Sequence, residues 1–246
     1  MKIETELCAF SLEACRAAAR AGVTRVELCA SPYEGGTTPS AALIRRARQI
    51  PHLQLSVMIR PRGGDFLYTD DEFDLMLDEV DFARECGADC VVAGMLTPDG
   101  RVDEERTARL VDRCGSMQFT FHRAFDMTRD TAEALESLVR AGCYRVLTSG
   151  GRNTAMEGID TIRALVAQSA GRIAIMAGSG VSPSNVRQLA GTGVDAVHFS
   201  ARSLVESGMT YRNPVVSMGG VPGIPEYASV GADETKIREI LDQLNS

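Results

Sequence analysis

Short apolar runs and amphipathic stretches alternate along the chain. Runs of strand length lie at Ile3 to Cys8, Leu53 to Ile59, Gln118 to Phe121 and Ile173 to Ala177. Stretches with apolar positions spaced at about 3.6 residues lie at Leu12 to Ala21, Phe73 to Cys86, Thr131 to Ala141 and Ile159 to Ser169. Four more strands are marked by a repeated design: Ala21-Gly22-Val23-Thr24-Arg25-Val26, Cys86-Gly87-Ala88-Asp89-Cys90-Val91, Ala141-Gly142-Cys143-Tyr144-Arg145-Val146 and Thr192-Gly193-Val194-Asp195-Ala196-Val197. In each, a helical pattern stops at a Gly suited to the left-handed position beyond a helix end, and a short apolar run follows. Eight strands alternating with about eight helices predict a parallel sheet. A chain of 246 residues has the length of an α/β fold of the TIM (β/α)8 barrel type, typically about 250 residues. An open doubly wound sheet would place a Gly-rich turn after the first strand, and Glu6-Leu7-Cys8-Ala9-Phe10-Ser11 contains no Gly. The expectation is one barrel domain over residues 1–246.

One segment breaks the rhythm. Residues 209–232 are rich in Gly and Pro with little apolar periodicity, ahead of a last helix near Asp233 to Leu244. Because the segment follows the eighth strand, it is expected as a loop over the C-terminal mouth of the barrel, either a lid or a surface excursion.

Strand alternation sorts side chains into an inner and an outer set. Glu6 and Cys8 share one face of the first strand, Glu27 and Cys29 one face of the second, and Met58 and Arg60 one face of the third. His122 ends the fifth strand and His198 the eighth. The opposite faces are apolar and suited to packing under helices. Active sites of such barrels lie at the C-terminal ends of the strands, so the mouth is expected to gather Glu6, Cys8, Glu27, Cys29, Arg60, His122 and His198. Burying that many charges calls for a closed ion-pair network or for a ligand.

Composition narrows the ligand. Net charge is −7 and no Lys/Arg cluster stands out, which argues against nucleic acid or an anionic membrane as partner. No apolar run approaches the roughly 18 residues that would span a bilayer, and Met1 to Glu6 carries acids where a signal peptide would be apolar. The chain has 7 Cys, an odd number, with no CxxC pair. That pattern suits reduced thiols and a cytoplasmic location.

Two chemistries are legible in the mouth. Arg60-Pro61-Arg62-Gly63-Gly64-Asp65-Phe66 sets two Arg beside a Gly pair, where the backbone can approach an anion. Gly178, Ser179 and Gly180 after the seventh strand and Ser200 after the eighth stand where barrels of this type bind phosphate, with Ser182 or Ser184 available to cap the next helix. His122-Arg123-Ala124-Phe125-Asp126 offers an acid–base His with Asp126 or Glu27 to orient it and His198 as its counterpart. These residues fit an enzyme acting on a small anionic or phosphorylated metabolite. The second chemistry is a soft metal site: Glu6-Leu7-Cys8 and Glu27-Leu28-Cys29 are the same tripeptide at the same place on adjacent strands. Two converging thiolates, with the Met58 thioether nearby, suit Cu(I).

The residues also resemble a known family, the CutC copper homeostasis proteins. The stretches that carry the likeness are Glu6-Leu7-Cys8, Val26 to Cys29 with Glu34 to Ser40, Ile59 to Phe66, Thr120 to Asp126, Leu147 to Gly150, Met176 to Val181 and Tyr211-Arg212-Asn213. The resemblance implies a cytoplasmic, oligomeric TIM barrel associated with copper, and it brings no established catalytic reaction. Carried over by position, the thiols proposed for Cu(I) match Cys8 and Cys29, while Ala9 stands where relatives often have a second Cys.

Overall fold

The computed structural model describes residues 3–219 and 223–245. Eight parallel strands close into a barrel in sequence order. They are β1 (Glu4–Ala9), β2 (Arg25–Leu28), β3 (Gln54–Met58), β4 (Cys90–Ala93), β5 (Gln118–Phe121), β6 (Arg145–Thr148), β7 (Ala174–Gly178) and β8 (Ala196–Phe199). Pairing of β1 with both β2 and β8, in registers that set Glu6 beside Arg25 and His198, closes the ring. The helices are α1 (Leu12–Ala21), α2 (Ala41–Arg48), α3 (Asp70–Glu85), α4 (Glu104–Cys114), α5 (Thr131–Arg140), α6 (Ile159–Ser169), α7 (Val186–Ala190) and α8 (Glu234–Asn245). The structure is a single-domain TIM (β/α)8 barrel. No helix among the described residues is long and apolar enough to cross a membrane.

The helix ends follow from local chemistry. Ser11 accepts a hydrogen bond from the backbone N–H of Ala14 at the start of α1, and Gly22 closes that helix in the left-handed conformation. Thr69 and Glu72 form a reciprocal capping box at the start of α3. After β7 the local structure differs from expectation. Neither Ser182 nor Ser184 caps α7; their hydroxyls bond each other, and the Asn185 side chain accepts from the N–H of Ser182 to shape the turn. A five-residue α7 leaves that turn without a long helix axis behind it.

The alternation rule holds around the ring. Outward residues such as Leu7, Ala9, Val26, Leu28, Val57, Val91, Phe119, Phe121, Ile175 and Val197 pack with the helices into one continuous core. Inward residues instead form two small apolar clusters, Cys8, Cys29, Met58, Cys90 and Val92 in one and Leu147, Met176 and Ala196 in the other. Most of the remaining inward positions are polar, among them Glu6, Arg25, Glu27, Ser56, Thr120, Arg145 and His198. Charged groups in the barrel interior are the choice of this sequence, because similar barrels fill the same layers with branched apolar side chains.

Residues 202–206 and 228–232 pair as antiparallel strands, β9 (Arg202–Glu206) and β10 (Ala228–Ala232), so the expected loop over 209–232 ends in a strand. Between them Tyr211, Val215 and Met218 are exposed. Apart from residues 220–222, which lie outside the described residues, none of 209–232 lines the cavity at the mouth.

Candidate functional site

At the C-terminal ends of the strands a cavity of about 470 Å³ opens, lined among others by Cys8, Glu27, Arg60, His122, Arg123, Ser179, Gly180, His198 and Ser200. Its floor is a short relay of buried groups. Glu6, beneath the floor, accepts from Arg25 Nε at 2.6 Å and from the Ser56 hydroxyl at 3.2 Å. Its other oxygen lies 2.9 Å from Nδ1 of His198. Nε2 of His198 stands 3.9 Å from a Glu27 carboxylate oxygen, and the same oxygen accepts from the Cys29 thiol at 3.5 Å. The sulfurs of Cys8 and Cys29 and a Glu27 oxygen all lie within 4.8 Å of one another.

Burial and pairing set the charges of this relay. Burial alone would raise Glu6, but the His198 hydrogen bond and the charges of Arg25, His198 and Arg145 hold its carboxyl far below the usual range. Burial pushes Glu27 up to about 8 against the pull of His198. The neighbouring Cys29 sulfur and, after it, His198 lower the Cys8 thiol to about 5 despite burial. Cys29 itself is pushed well above the ordinary thiol value, first by burial. Burial would lower His198; Glu27, Cys8 and Glu6 outweigh it and keep the ring protonated well above the ordinary imidazole value. The two shifts run in opposite directions and favour a thiolate at Cys8 beside a neutral thiol at Cys29. A thiolate is the form that ligates metals.

Backbone geometry brings the second thiol in. Gly36 has φ +98°, and a Cβ there would meet the Cys29 sulfur at 3.2 Å. Only a residue free to adopt that conformation lets the loop after β2 seal Cys29 from above. Ala9 belongs to the outer core, so a thiol at its position would face the helices instead of joining Cys8 and Cys29.

The other expected residues divide. Arg60 is buried and its guanidinium donates to the carbonyls of Glu34 and Gly36, both at 2.8 Å, and of Gly64 at 3.0 Å. His122 accepts from the N–H of Ala124 at Nδ1, at 3.1 Å. Burial and the nearby Arg60 charge lower its imidazole to about 3. The expected pairing of His122 with Asp126 is not the one the fold makes. Asp126 instead accepts from Arg123 Nε at 2.8 Å, the Thr148 hydroxyl at 2.6 Å and the amides of Ser149 and Gly151 at 3.0 Å, tying the loop after β6 to the loop after β5. Arg62 points away from the cavity to Glu72 at the start of α3, at 2.6 Å. Gly178 lies under the mouth, where a Cβ would collide with Leu147 at 2.4 Å. Cys29 and Glu6 sit behind the cavity wall, reached through Cys8 and His198.

Two residues escaped the sequence reading. Cys90 packs against the Cys8, Cys29 and Met58 group, and period-two alternation applied to β4 would have put it inward. Arg202 lines the cavity and stacks 5.0 Å from the Phe10 ring centroid. It continues the His198 and Ser200 alternation, but β8 ends at Phe199 and the chain turns before reaching it.

Comparison with known proteins agrees along the whole chain. The CutC family model matches residues 3–203. A CutC family protein of Porphyromonas gingivalis is 46% identical over 245 residues, 99% of each chain. The human protein named copper homeostasis protein cutC homolog is 44% identical over 96% of this chain and 86% of its own. The crystal structure of the putative copper homeostasis protein CutC from Streptococcus agalactiae superposes with a TM-score of 0.76 at 37% identity, covering 80% of this chain and 97% of that one. With the family model matching residues 3–203 and relatives sharing nearly half of the sequence along its length, this chain belongs to the CutC family.

Proposed function

We propose that the protein binds Cu(I) between Cys8 and Cys29 and serves copper trafficking or tolerance in the cytoplasm. The observation that carries this reading is the convergence of two sulfurs within 4.8 Å, with Met58 and Cys90 packed against them. Two metal–thiolate bonds of about 2.3 Å each bridge such a gap with little movement. Soft sulfur ligands select Cu(I) over harder ions, and copper here is cargo. The copper homeostasis names of the human and streptococcal relatives support the same reading. All 7 cysteines are free, as a reducing compartment requires. Exposed Leu204, Val205, Tyr211, Val215 and Met218 on the hairpin arm support self-association into a homo-oligomer.

The test is an anaerobic Cu(I) titration of reduced protein against a competing chelator. One tight equivalent is expected for the native chain, lost in Cys8→Ser and in Cys29→Ser. Weak, unsaturable uptake that both substitutions leave unchanged would sink the reading.

A further inference from the structure

A single copper ion at the floor would use a small fraction of a 470 Å³ cavity, whose size is that of sites for small organic molecules. Its walls carry unmet hydrogen-bonding capacity. His122 Nε2, Arg60 Nε and Glu27 Oε1 are buried without partners, and all three residues line the cavity. Leaving such atoms unpaired is costly unless something else satisfies them.

Their chemistry is specific. Because the Ala124 N–H occupies Nδ1 of His122, the ring proton sits on Nε2, which is therefore a donor. Arg60 is immobilised by the carbonyls of Glu34, Gly36 and Gly64 and keeps a donor at Nε. It makes no ion pair among the described residues, so its charge is uncompensated by any acid there. Both groups flank one ring: the His122 centroid lies 5.0 Å from that of Phe66, and the Arg60 guanidinium 5.1 Å from it. Glu27 Oε1, buried and without a partner, has the chemistry to pair with a hydroxyl, which can give or take a hydrogen bond. Arg25 and Arg145 in the barrel below also leave one nitrogen each unpaired, but their charges are matched by Glu4 and Glu6 and neither lines this cavity.

We infer that the mouth holds a small organic oxyanion bearing a neighbouring hydroxyl, its charged oxygens meeting His122 and Arg60 and its hydroxyl meeting Glu27. This site stands independently of copper. The experiment is calorimetric titration of metal-free, reduced, full-length protein with L-malate, with glycerol 3-phosphate, and with succinate, which lacks the hydroxyl. Saturable 1:1 binding of malate assigns a carboxylate, and of glycerol 3-phosphate a phosphate. Succinate is expected to bind more weakly than malate by about tenfold, and His122→Phe to weaken the bound probe by about ten- to a hundredfold, as loss of one hydrogen bond to a charged group does. His122→Gln, which keeps an N–H donor, should recover most of that loss. Absence of saturable binding to both hydroxylated probes overturns the inference. So does binding that His122→Phe leaves at the native level, and succinate binding equal to that of malate overturns the hydroxyl assignment without any variant.

Discussion

Two layers of polar side chains fill the same barrel and are satisfied differently. The lower layer holds Arg25 and Arg145 with Glu4 and Glu6: Arg25 reaches Glu6 at 2.6 Å and Glu4 at 3.0 Å, and Arg145 reaches Glu4 at 2.9 Å. Gln54 and Thr120 take further guanidinium bonds. Acids and bases match in number, and none of these residues lines the mouth cavity, the Glu4 side chain reaching solvent instead. The upper layer holds Cys8, Cys29, Glu27, His198, Arg60 and His122 around a cavity, and three of its polar atoms lack partners. Buried charge alone does not separate structure from function. The lower layer matches its charges internally, with only one nitrogen each of Arg25 and Arg145 left over, whereas the unpartnered atoms of the upper layer belong to residues that line a cavity. His198 and Glu6, 2.9 Å apart, are where the two meet.

The sharpest way to break the comparison is Arg25→Met. It strands the fully buried Glu6 without its closest cation, and loss of one member of a buried pair costs about 3–5 kcal/mol. Urea denaturation should show that loss, and a change below about 1 kcal/mol, the value of an exposed ion pair, would show that the lower layer is not load-sharing.

Acid and alkaline limbs should then report the layers separately. Glu6, held below the ordinary 4.5, stabilises the fold above that pH and loses its contribution as pH falls through and below it. Glu27, raised to about 8, has the opposite sign: between pH 4.5 and 8 the unfolded chain ionises this group while the folded one keeps it protonated, so stability falls across that window. His198, raised above its ordinary 6.5, stabilises below that pH and loses its contribution as pH climbs through the folded value. Stability of Glu27→Gln, measured by denaturant at successive pH values, should fall less than that of the native chain between pH 4.5 and 8. Equal slopes would mean that Glu27 is ionised throughout.

The smallest effect is expected at Cys90, whose sulfur packs with the upper cluster yet lies 3.4 Å from the Thr120 hydroxyl. It is outside the group formed by Cys8, Glu27 and Cys29. Cys90→Ser should change Cu(I) affinity by less than about tenfold, or 1.4 kcal/mol, in the same chelator competition. A larger loss would make it a third sulfur ligand.

Most of the barrel was readable without coordinates because its signals are local. Helical spacing at Leu12 to Ala21 and Ile159 to Ser169 reappears as α1 and α6 with the same bounds, and Gln118 to Phe121 as β5. Inward and outward sets follow from the two-residue period of a strand, so Glu6, Cys8, Glu27, Cys29, His122 and His198 could be assigned to one interior in advance. Their partners could not. Asp126 follows His122 by four residues, yet a 3₁₀ turn over Arg123–Met127 aims it at Thr148 and Ser149. Arg62 lies two residues from Arg60, and the chain turns it to Glu72. The antiparallel pairing of residues 202–206 with 228–232 links segments separated by a long excursion, which no local pattern announces.

Periodicity and turn chemistry are properties of neighbouring residues, so the barrel, its polar interior and the matched Glu-Leu-Cys pairs were written in the order of the amino acids. Distances between strands are properties of closure. The register of β1 against β2 and β8 sets Glu6 between Arg25 and His198, and brings Cys8 to Cys29 and His198, the groups that lower its thiol. The same closure leaves His122, Arg60 and Glu27 partly unpaired around open space, because eight strands on a ring admit only the side-chain contacts that their stagger allows.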